Sequence, residues 1–198
     1  VYGDYDVDGI TATSLLYRFL VKMGARVSYY IPERQSEGYG LNLEALEHII
    51  SDGASLVVTV DCGISSYDIV DAVCDRIDII ITDHHTAPPQ IPPARAVINH
   101  KQPDCPYTDK NLSGVGVAFK LCQALWLRQC GEWYLDDLDI VALGTVADVV
   151  PLVGENRIIV QAGLKKMNEL PNLGIDKLID VAGLHDKTIT AGHIGFTL

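Results

Sequence analysis

Short runs of β-branched and aliphatic residues recur along the first half of the chain. The runs at residues 55–60 and 77–82 are almost wholly apolar and predict buried strands, and the run at residues 25–31 predicts another strand. Residues 94–98 form a weaker candidate, and residues 1–3 are typical of the end of a strand. All the predicted strands therefore lie in the first half of the chain.

Segments with helical periodicity separate these runs and fill the second half. Residues 10–23 repeat an apolar face and precede Gly24, a residue typical of helix ends. Residues 43–50 follow Asn42, a favoured N-cap, and residues 65–68 (Ser-Ser-Tyr-Asp) predict a capping box before a third helix. In the second half, helices are predicted at residues 115–127, 135–147, 157–170 and 173–182.

The alternation of strands and helices predicts an α/β fold. Strands that are joined through helices form a parallel sheet with helices on both faces. We expect one domain over residues 1–198, in which residues 1–100 form the parallel-sheet core and residues 101–198 a mostly helical remainder. A proline-rich loop at residues 88–93 joins two of the predicted strands.

The composition is that of an ordinary folded protein, and the charge narrows the choice of partners. Hydrophobic residues make up 48% of the chain and charged residues 21%, with a formal net charge of −11. An acidic surface disfavours binding to phosphate backbones, although bound divalent cations would neutralise part of this charge. No apolar run is long enough to span a membrane, and no signal peptide is evident.

The cysteines bear on the cellular compartment of the protein, and the first residues bear on whether the sequence is complete. The five cysteines are an odd number without paired short spacing, which fits reduced thiols in the cytoplasm better than disulfides or a zinc site. The chain does not begin with methionine and opens directly on a strand end. We therefore expect it to be a fragment of a longer protein.

Three aspartates at alternate positions, Asp4, Asp6 and Asp8, follow the opening residues. In an extended chain they would point to one side, where their mutual repulsion calls for a counter-charge. Oxygen ligands suit Mg²⁺ or Mn²⁺. A calcium loop is disfavoured because helix-like residues follow Gly9 directly. From these residues alone, a metal site and a solvated acidic turn are equally open.

Residues after two further predicted strands favour the metal site. Asp61 follows the strand at residues 55–60, and Asp83, His84 and His85 follow the strand at residues 77–82. Because ligands bind outside the carboxyl ends of parallel strands, we expect these side chains to meet the N-terminal aspartates there. Carboxylates and imidazoles suit manganese or magnesium better than structural zinc, and their number exceeds the needs of one ion. The sequence therefore predicts a two-metal site, an arrangement typical of phosphate-ester hydrolysis.

These motifs strongly resemble the DHH phosphoesterase superfamily, which is named for the triplet Asp83-His84-His85. Residues 4–9 (Asp-Tyr-Asp-Val-Asp-Gly), Asp61 after a strand, the triplet, and residues 143–152 (Leu-Gly-Thr-Val-Ala-Asp-Val-Val-Pro-Leu) match its four motifs in order and spacing. Within the superfamily, residues 3–9, 37–41 and 112–120 are similar to segments of the RecJ exonucleases. The resemblance covers nearly the whole chain.

The resemblance implies a role for each matched residue. Four residues correspond to metal ligands: Asp6, Asp8, His84 and Asp148. Asp4 corresponds to a ligand or to a neighbour of one, and Asp61 to the aspartate that bridges the two metals. His85 would face the phosphate, where it would stabilise charge on the phosphoryl oxygens. The implied cofactor is a pair of Mn²⁺ ions, with Mg²⁺ as the alternative, and the implied catalytic residues are Asp61 and His85.

The sequence indicates the substrate-binding residues less clearly than the reaction. Arg34 and Lys120 are candidate phosphate contacts, but each is also typical of a solvated surface charge. Tyr39 is either available to stack on a base, as in single-strand binders, or packs on the core. His85 is the remaining candidate substrate contact.

The resemblance implies a single-stranded-DNA-specific exonuclease of 5′-to-3′ polarity, acting in DNA repair and recombination in the cytoplasm. Its implied partners are single-stranded DNA, gripped mainly by a C-terminal DHH-associated domain outside this chain, and a single-strand-binding protein or a helicase; no membrane is involved. One alternative is a short-oligonucleotide or cyclic-dinucleotide phosphodiesterase. An inorganic pyrophosphatase is disfavoured by the RecJ-like segments, and a non-catalytic scaffold by the complete set of ligands.

Overall fold

A four-stranded parallel sheet forms the centre of the structure, a computed structural model that describes all residues from 1 to 198. The strands lie side by side in chain order: β1 (Tyr2–Gly3), β2 (Leu56–Val60), β3 (Asp78–Thr82) and β4 (Ala96–Ile98). Their last residues are in register, since Gly3 lies opposite Val60, Val60 opposite Thr82, and Thr82 opposite Ile98. The residues that follow the four strands therefore emerge at one level along one edge.

Apolar side chains on the two faces of the sheet enter two separate cores. Val58 and Val60 of β2 pack in the larger core with the helices of the second half, whereas Val57 packs in the smaller one. Ile79 and Ile81 of β3 also enter the smaller core. Parallel strands covered on both faces are expected to be this uniformly apolar. The prediction of a parallel sheet with helices on both faces is confirmed.

Eight helices surround the sheet: α1 (Val7–Lys22), α2 (Leu43–Ser51), α3 (Tyr67–Asp71), α4 (Gly114–Cys130), α5 (Leu138–Ala147), α6 (Gly154–Glu169), α7 (Leu173–Val181) and α8 (Ala191–Phe196). The helix α1 packs against α4 and α5, and α5 packs against α6. The helical second half of the chain therefore shares the larger core with α1 and β2. The short helix α8, which begins after the capping residue Thr190, was not predicted.

The strand predicted at residues 25–31 is wrong. Only Tyr30 makes a bridge, parallel to Tyr2, and its amide donates to the carbonyl of Val1 (2.8 Å) while its carbonyl accepts from the amide of Gly3 (3.0 Å). β1 contains only two residues, so the earlier part of the segment has no partner with which to form a ladder. Tyr29, next to the bridge, is exposed.

Two helix starts also differ from the predictions. α1 begins at Val7 rather than at residue 10, because Asp6 is its N-cap and accepts from the amide of Gly9 (2.9 Å). The capping box predicted at residues 65–68 is absent, since the N-cap of α3 is Ser66 and its side chain makes no capping hydrogen bond. By contrast, the Asn42 side chain caps α2 as predicted, accepting from the amide of Ala45 (3.1 Å).

Two further expectations concern membrane-spanning segments and the cysteines. None of the helices combines the length and the apolar character needed to cross a membrane. All five cysteines are free, and Cys62 and Cys122 are buried in the two cores.

Candidate metal centre

The aligned strand ends bring acidic and imidazole groups together at the carboxyl edge of the sheet. Asp4 directly follows β1, Asp61 follows β2, and the triplet Asp83-His84-His85 follows β3. Asp4, Asp61 and His84 are all buried. Three neighbouring strands thus direct potential ligands to one place, as the sequence predicts.

Asp6 and Asp8 reach the same edge through α1, not through an extended chain. The extended backbone that would align Asp4, Asp6 and Asp8 does not occur, because the helix has already begun at Val7. Gly9 allows the helix to start this close to β1, since a Cβ atom there would lie 2.5 Å from the carbonyl oxygen of Asp4. Alternation along a strand therefore does not explain why the three carboxylates converge; the tight strand-to-helix turn does.

Asp8 is held at the N-terminus of α4. Its two carboxylate oxygens accept from the backbone amides of Gly114 (2.6 Å) and Val115 (2.8 Å). These amides belong to the first turn of a helix, where the backbone N–H groups have no partner within the helix and the dipole favours negative charge. Gly114 also passes close to Asp61, because a Cβ atom at this glycine would lie 2.5 Å from the Cβ and Cγ atoms of Asp61.

Asp148 completes the cluster from the C-terminus of α5, where it is the C-cap. Potential ligand atoms lie within 4.8 Å of one another in three groups: Asp4, Asp6 and Asp61; Asp61, His84 and His85; and Asp8, His84 and Asp148. Asp61 and His84 each belong to two of these groups. The structure thus brings all six residues predicted as metal ligands into one contiguous cluster.

The atom Nε2 of His84 lies at the centre of the cluster. It is 3.1 Å from Oδ1 of Asp61, 3.7 Å from Oδ2 of Asp148 and 3.9 Å from Oδ2 of Asp8. Three buried polar atoms here have no hydrogen-bond partner: Oδ1 of Asp61, Oδ2 of Asp148 and Nδ1 of His84. Buried polar groups are nearly always satisfied, so carboxylate oxygens that surround one imidazole nitrogen without making a hydrogen bond fit a site for a hard divalent cation.

Burial and mutual repulsion raise the pKa of the clustered carboxyls. The pKa of Asp61 rises to about 9 because the group is buried and lies near Asp6. Burial and the charge of Asp61 raise the pKa of Asp8 well above its ordinary value, and burial raises the pKa values of Asp4 and Asp148. The positive charge of His85 offsets only part of this repulsion, and a divalent cation would supply the remaining counter-charge.

The metal-free protein is expected to lose stability as the pH rises. Between its ordinary pKa of 3.8 and its folded value of about 9, Asp61 binds more protons in the folded than in the unfolded state. The free energy of unfolding therefore falls with pH across that window. Thermal unfolding in EDTA between about pH 5 and pH 9 measures the fall. Mn²⁺ should oppose it, adding about 2.7 kcal/mol at a hundred times its Kd; identical pH profiles with and without Mn²⁺ contradict this expectation.

Asp83 supports the site without belonging to the ligand cluster. Its carboxylate accepts from the amides of Ile64 (2.9 Å), His84 (2.7 Å) and His85 (3.0 Å) and contacts Nδ1 of His85 (2.7 Å). Three of these contacts are made by Oδ1 and one by Oδ2, so both oxygens of the carboxylate are engaged. Burial alone would raise the pKa of Asp83, but the hydrogen bonds lower it, and they raise the pKa of His85 to about 9. Sequence reasoning missed this role.

Tyr39 lies against His85 at the mouth of the cluster. Its hydroxyl is 3.1 Å from Nδ1 and 3.3 Å from Nε2 of His85, and the two rings meet edge to face. Tyr39 is 51% exposed, so it does not pack on the core. Stacking of Tyr39 on a base of the substrate stays a prediction.

The two predicted cationic contacts differ in their surroundings. Lys120 lies about 9 Å along α4 from the first residue of that helix. Its Nζ pairs with Oε2 of Glu155 (2.9 Å). It is therefore engaged in an ion pair and is not a free charge. Arg34 is exposed and makes no ion pair; its guanidinium lies 5.5 Å from the ring centre of Tyr5, the residue after Asp4.

Comparison with known proteins decides the family. The sequence matches the DHH family, N-terminal domain, over residues 1–145. The chain belongs to the DHH family. All but one of the ligand residues of this DHH chain lie within the matched region, Asp148 being three residues beyond it.

Similar proteins extend the likeness over the whole DHH chain. It is 44% identical over 199 residues to the single-stranded-DNA-specific exonuclease RecJ of Bacillus subtilis, covering 100% of the chain and 25% of that relative. A crystal structure of exonuclease RecJ bound to manganese is also similar, with a TM-score of 0.89 and 35% sequence identity. The match covers 99% of this chain and 49% of the RecJ chain.

RecJ of Thermus thermophilus is similar in its complexes with Mn²⁺ and with Mg²⁺. The TM-scores are 0.82 and 0.67, and the identities 33% and 32%. Both matches cover 99% of this chain, and they cover 28% and 24% of the two RecJ chains. The DHH chain thus spans about a quarter of the length of the Bacillus relative and about half of the first RecJ structure.

Proposed function

We propose that this chain is the catalytic domain of a metal-dependent phosphodiesterase of the RecJ type, which shortens single-stranded DNA from the 5′ end. One observation carries the proposal: ligand groups from three strand ends and two helices converge, with buried carboxylate oxygens that have no partner. The likeness to RecJ over the whole chain supports it, since the Bacillus relative is named a single-stranded-DNA-specific exonuclease.

Six residues are proposed to hold two divalent cations: Asp4, Asp6, Asp8, Asp61, His84 and Asp148. Mn²⁺ is our first choice and Mg²⁺ the alternative, because similar RecJ structures contain each ion. The donors are oxygen and imidazole nitrogen without sulfur, which suits both ions. Once bound, the cations would lower the pKa of a water molecule and polarise the phosphoryl group.

The chain's own residues have separate tasks in the proposed reaction. Asp61 belongs to two of the three ligand groups, so it would join the two cation sites. Asp83 engages Nδ1 of His85, so Nε2, which lies 3.3 Å from the Tyr39 hydroxyl, is the nitrogen that would contact a phosphoryl oxygen. Arg34 would attract a substrate phosphate beside Tyr5, and Tyr39 would contact a base next to His85.

We also propose a division of labour within a longer protein. Residues 1–198 would supply the chemistry, with residues 1–100 as the parallel-sheet core and residues 101–198 as the helical remainder. A C-terminal DHH-associated domain would grip most of the DNA, because this chain has a net charge of −11 and few unpaired cations near the cluster. The setting would be DNA repair and recombination in the cytoplasm, with a single-strand-binding protein or a helicase as partner.

Hydrolysis of labelled DNA tests the proposed function. With Mn²⁺, the protein should release nucleotides from the 5′ end of a long single strand, spare a blunt duplex, and stop when EDTA is added. A preference for substrates of a few nucleotides would point instead to an oligonucleotide phosphodiesterase. Binding of Mn²⁺ without any cleavage would contradict the proposal and favour a scaffold.

A further inference from the structure

The strand β4 also ends at the carboxyl edge, although it adds no ligand to the cluster. Its last residue, Ile98, lies opposite Thr82, so Asn99 emerges beside Asp83. Asn99 is buried; its Nδ2 donates to the carbonyl of His85 (2.9 Å), and its Oδ1 accepts from the amide of Lys101 (2.7 Å). Asn99 therefore ties the turn that carries Lys101 to the strand end that carries His85.

Lys101 is the unpaired cation of this turn. No carboxylate lies within ion-pair distance of its ammonium. The nearby Lys110 differs, because its ammonium donates to the carbonyls of His100 and Cys105. Burial lowers the pKa of His100, so this histidine adds no positive charge at neutral pH.

The turn that carries Lys101 lies beside the metal cluster. Asn99 joins this turn to the carbonyl of His85, and His85 belongs to one of the three ligand groups. No ion pair connects Lys101 to any carboxylate of the cluster. An unpaired ammonium on a turn held next to the cluster suits an anion that arrives with the substrate.

Arg34 is the unpaired cation at the opposite end of the same edge. The segment before it pairs with β1 through Tyr30, and its guanidinium lies over Tyr5. Neighbouring strands lie about 4.8 Å apart, so the β1 and β4 ends of the edge are separated by roughly 14 Å. This separation favours contacts with two different phosphates, on either side of the cluster.

We propose that Lys101 binds a phosphate of the nucleic-acid substrate on the β4 side of the metal centre, while Arg34 binds another on the β1 side. The single strand then crosses the carboxyl edge of the sheet, with the bond to be cleaved over the cluster. This inference rests on the proposed function and adds the path of the single strand across the edge and a residue, Lys101, that would hold it there.

The variant Lys101→Met tests the contact. We expect the KM for Mn²⁺-dependent hydrolysis of a single strand to rise about tenfold while kcat changes less than about twofold. The slope of log affinity against log salt should become less steep by about 0.7, the loss of one phosphate contact. Lys101→Arg should retain most of the affinity. Lys165→Met is the matched control, because this lysine lies late in α6 and is mostly exposed.

Equilibrium binding and a double variant complete the test. Anisotropy of a labelled single strand in EDTA should show the same loss of affinity for Lys101→Met, independent of catalysis. The effects of Arg34→Met and Lys101→Met should multiply, since distant independent contacts are additive in free energy. If Lys101→Met matches Lys165→Met in KM and salt slope, or if it lowers kcat together with Mn²⁺ affinity, the inference is overturned. A wild-type protein without Mn²⁺-dependent hydrolysis overturns the proposed function itself.

Discussion

Asparagine in place of Asp61 is expected to lower kcat for metal-dependent hydrolysis by about a thousandfold or more. Asp61 takes part in two of the three ligand groups and lies 3.1 Å from Nε2 of His84. Removing its charge therefore weakens both proposed cation sites at once. Calorimetric titration with Mn²⁺ should show fewer bound ions or a much larger Kd, and kcat near the wild-type value would rule out the bridging role.

The same variant should remain folded, and the backbone explains why asparagine is the better choice. Asp61 has a φ of 61°, a left-handed conformation that asparagine tolerates and alanine adopts at a cost of about 1 kcal/mol. The amide also removes a carboxyl whose burial raises its pKa to about 9. Without metal, Asp61→Asn should therefore unfold at the same or a higher temperature than the wild type at alkaline pH. A lower unfolding temperature would show that the carboxylate stabilises the fold by itself.

Alanine in place of Gly114 is expected to have the second-largest effect. The added Cβ would lie 2.5 Å from the Cβ and Cγ atoms of Asp61, while the amide of Gly114 donates to Asp8. The backbone or Asp61 must shift, and either movement displaces a proposed ligand. We expect a loss of about a hundredfold in activity and Mn²⁺ affinity, with about 1–3 kcal/mol of destabilisation from overpacking.

Gly116→Ala is the matched control for this variant, in the same turn of α4. A Cβ atom at Gly116 would meet nothing closer than the Cβ of Leu112 at 3.4 Å. Replacing a helical glycine by alanine gains up to about 1 kcal/mol when the space is free. Activity should stay near the wild-type level in Gly116→Ala; equal losses in both variants would mean that the helix start, not the contact with Asp61, is responsible.

The sequence predicts the strand ends of this site well and the turns poorly. The runs before Asp61 and Asp83 are apolar and β-branched, so both strands and their edge could be located from the pattern alone. The convergence of Asp4, Asp6 and Asp8 was expected for the wrong reason, since it depends on a helix start that the capping role of Asp6 determines.

Contacts between distant segments could not be predicted from periodicity. The hydrogen bonds from Gly114 and Val115 to Asp8 join segments far apart in the chain, as does the ion pair of Lys120 with Glu155. Asp148 was predicted only through family resemblance, because a carboxylate at the end of a helix has no local signal of metal binding. Such residues acquire their role from tertiary packing.

The arrangement of Asp8 and Asp148 makes the proposed metal centre a cross-link as well as a reaction site. Asp8 belongs to the first turn of α1 and Asp148 caps α5, and both approach His84 at the end of β3. A cation held by these groups would join the two halves of the chain, so unfolding would require its release. The lifetime of the folded chain against proteases should accordingly depend on its metal content.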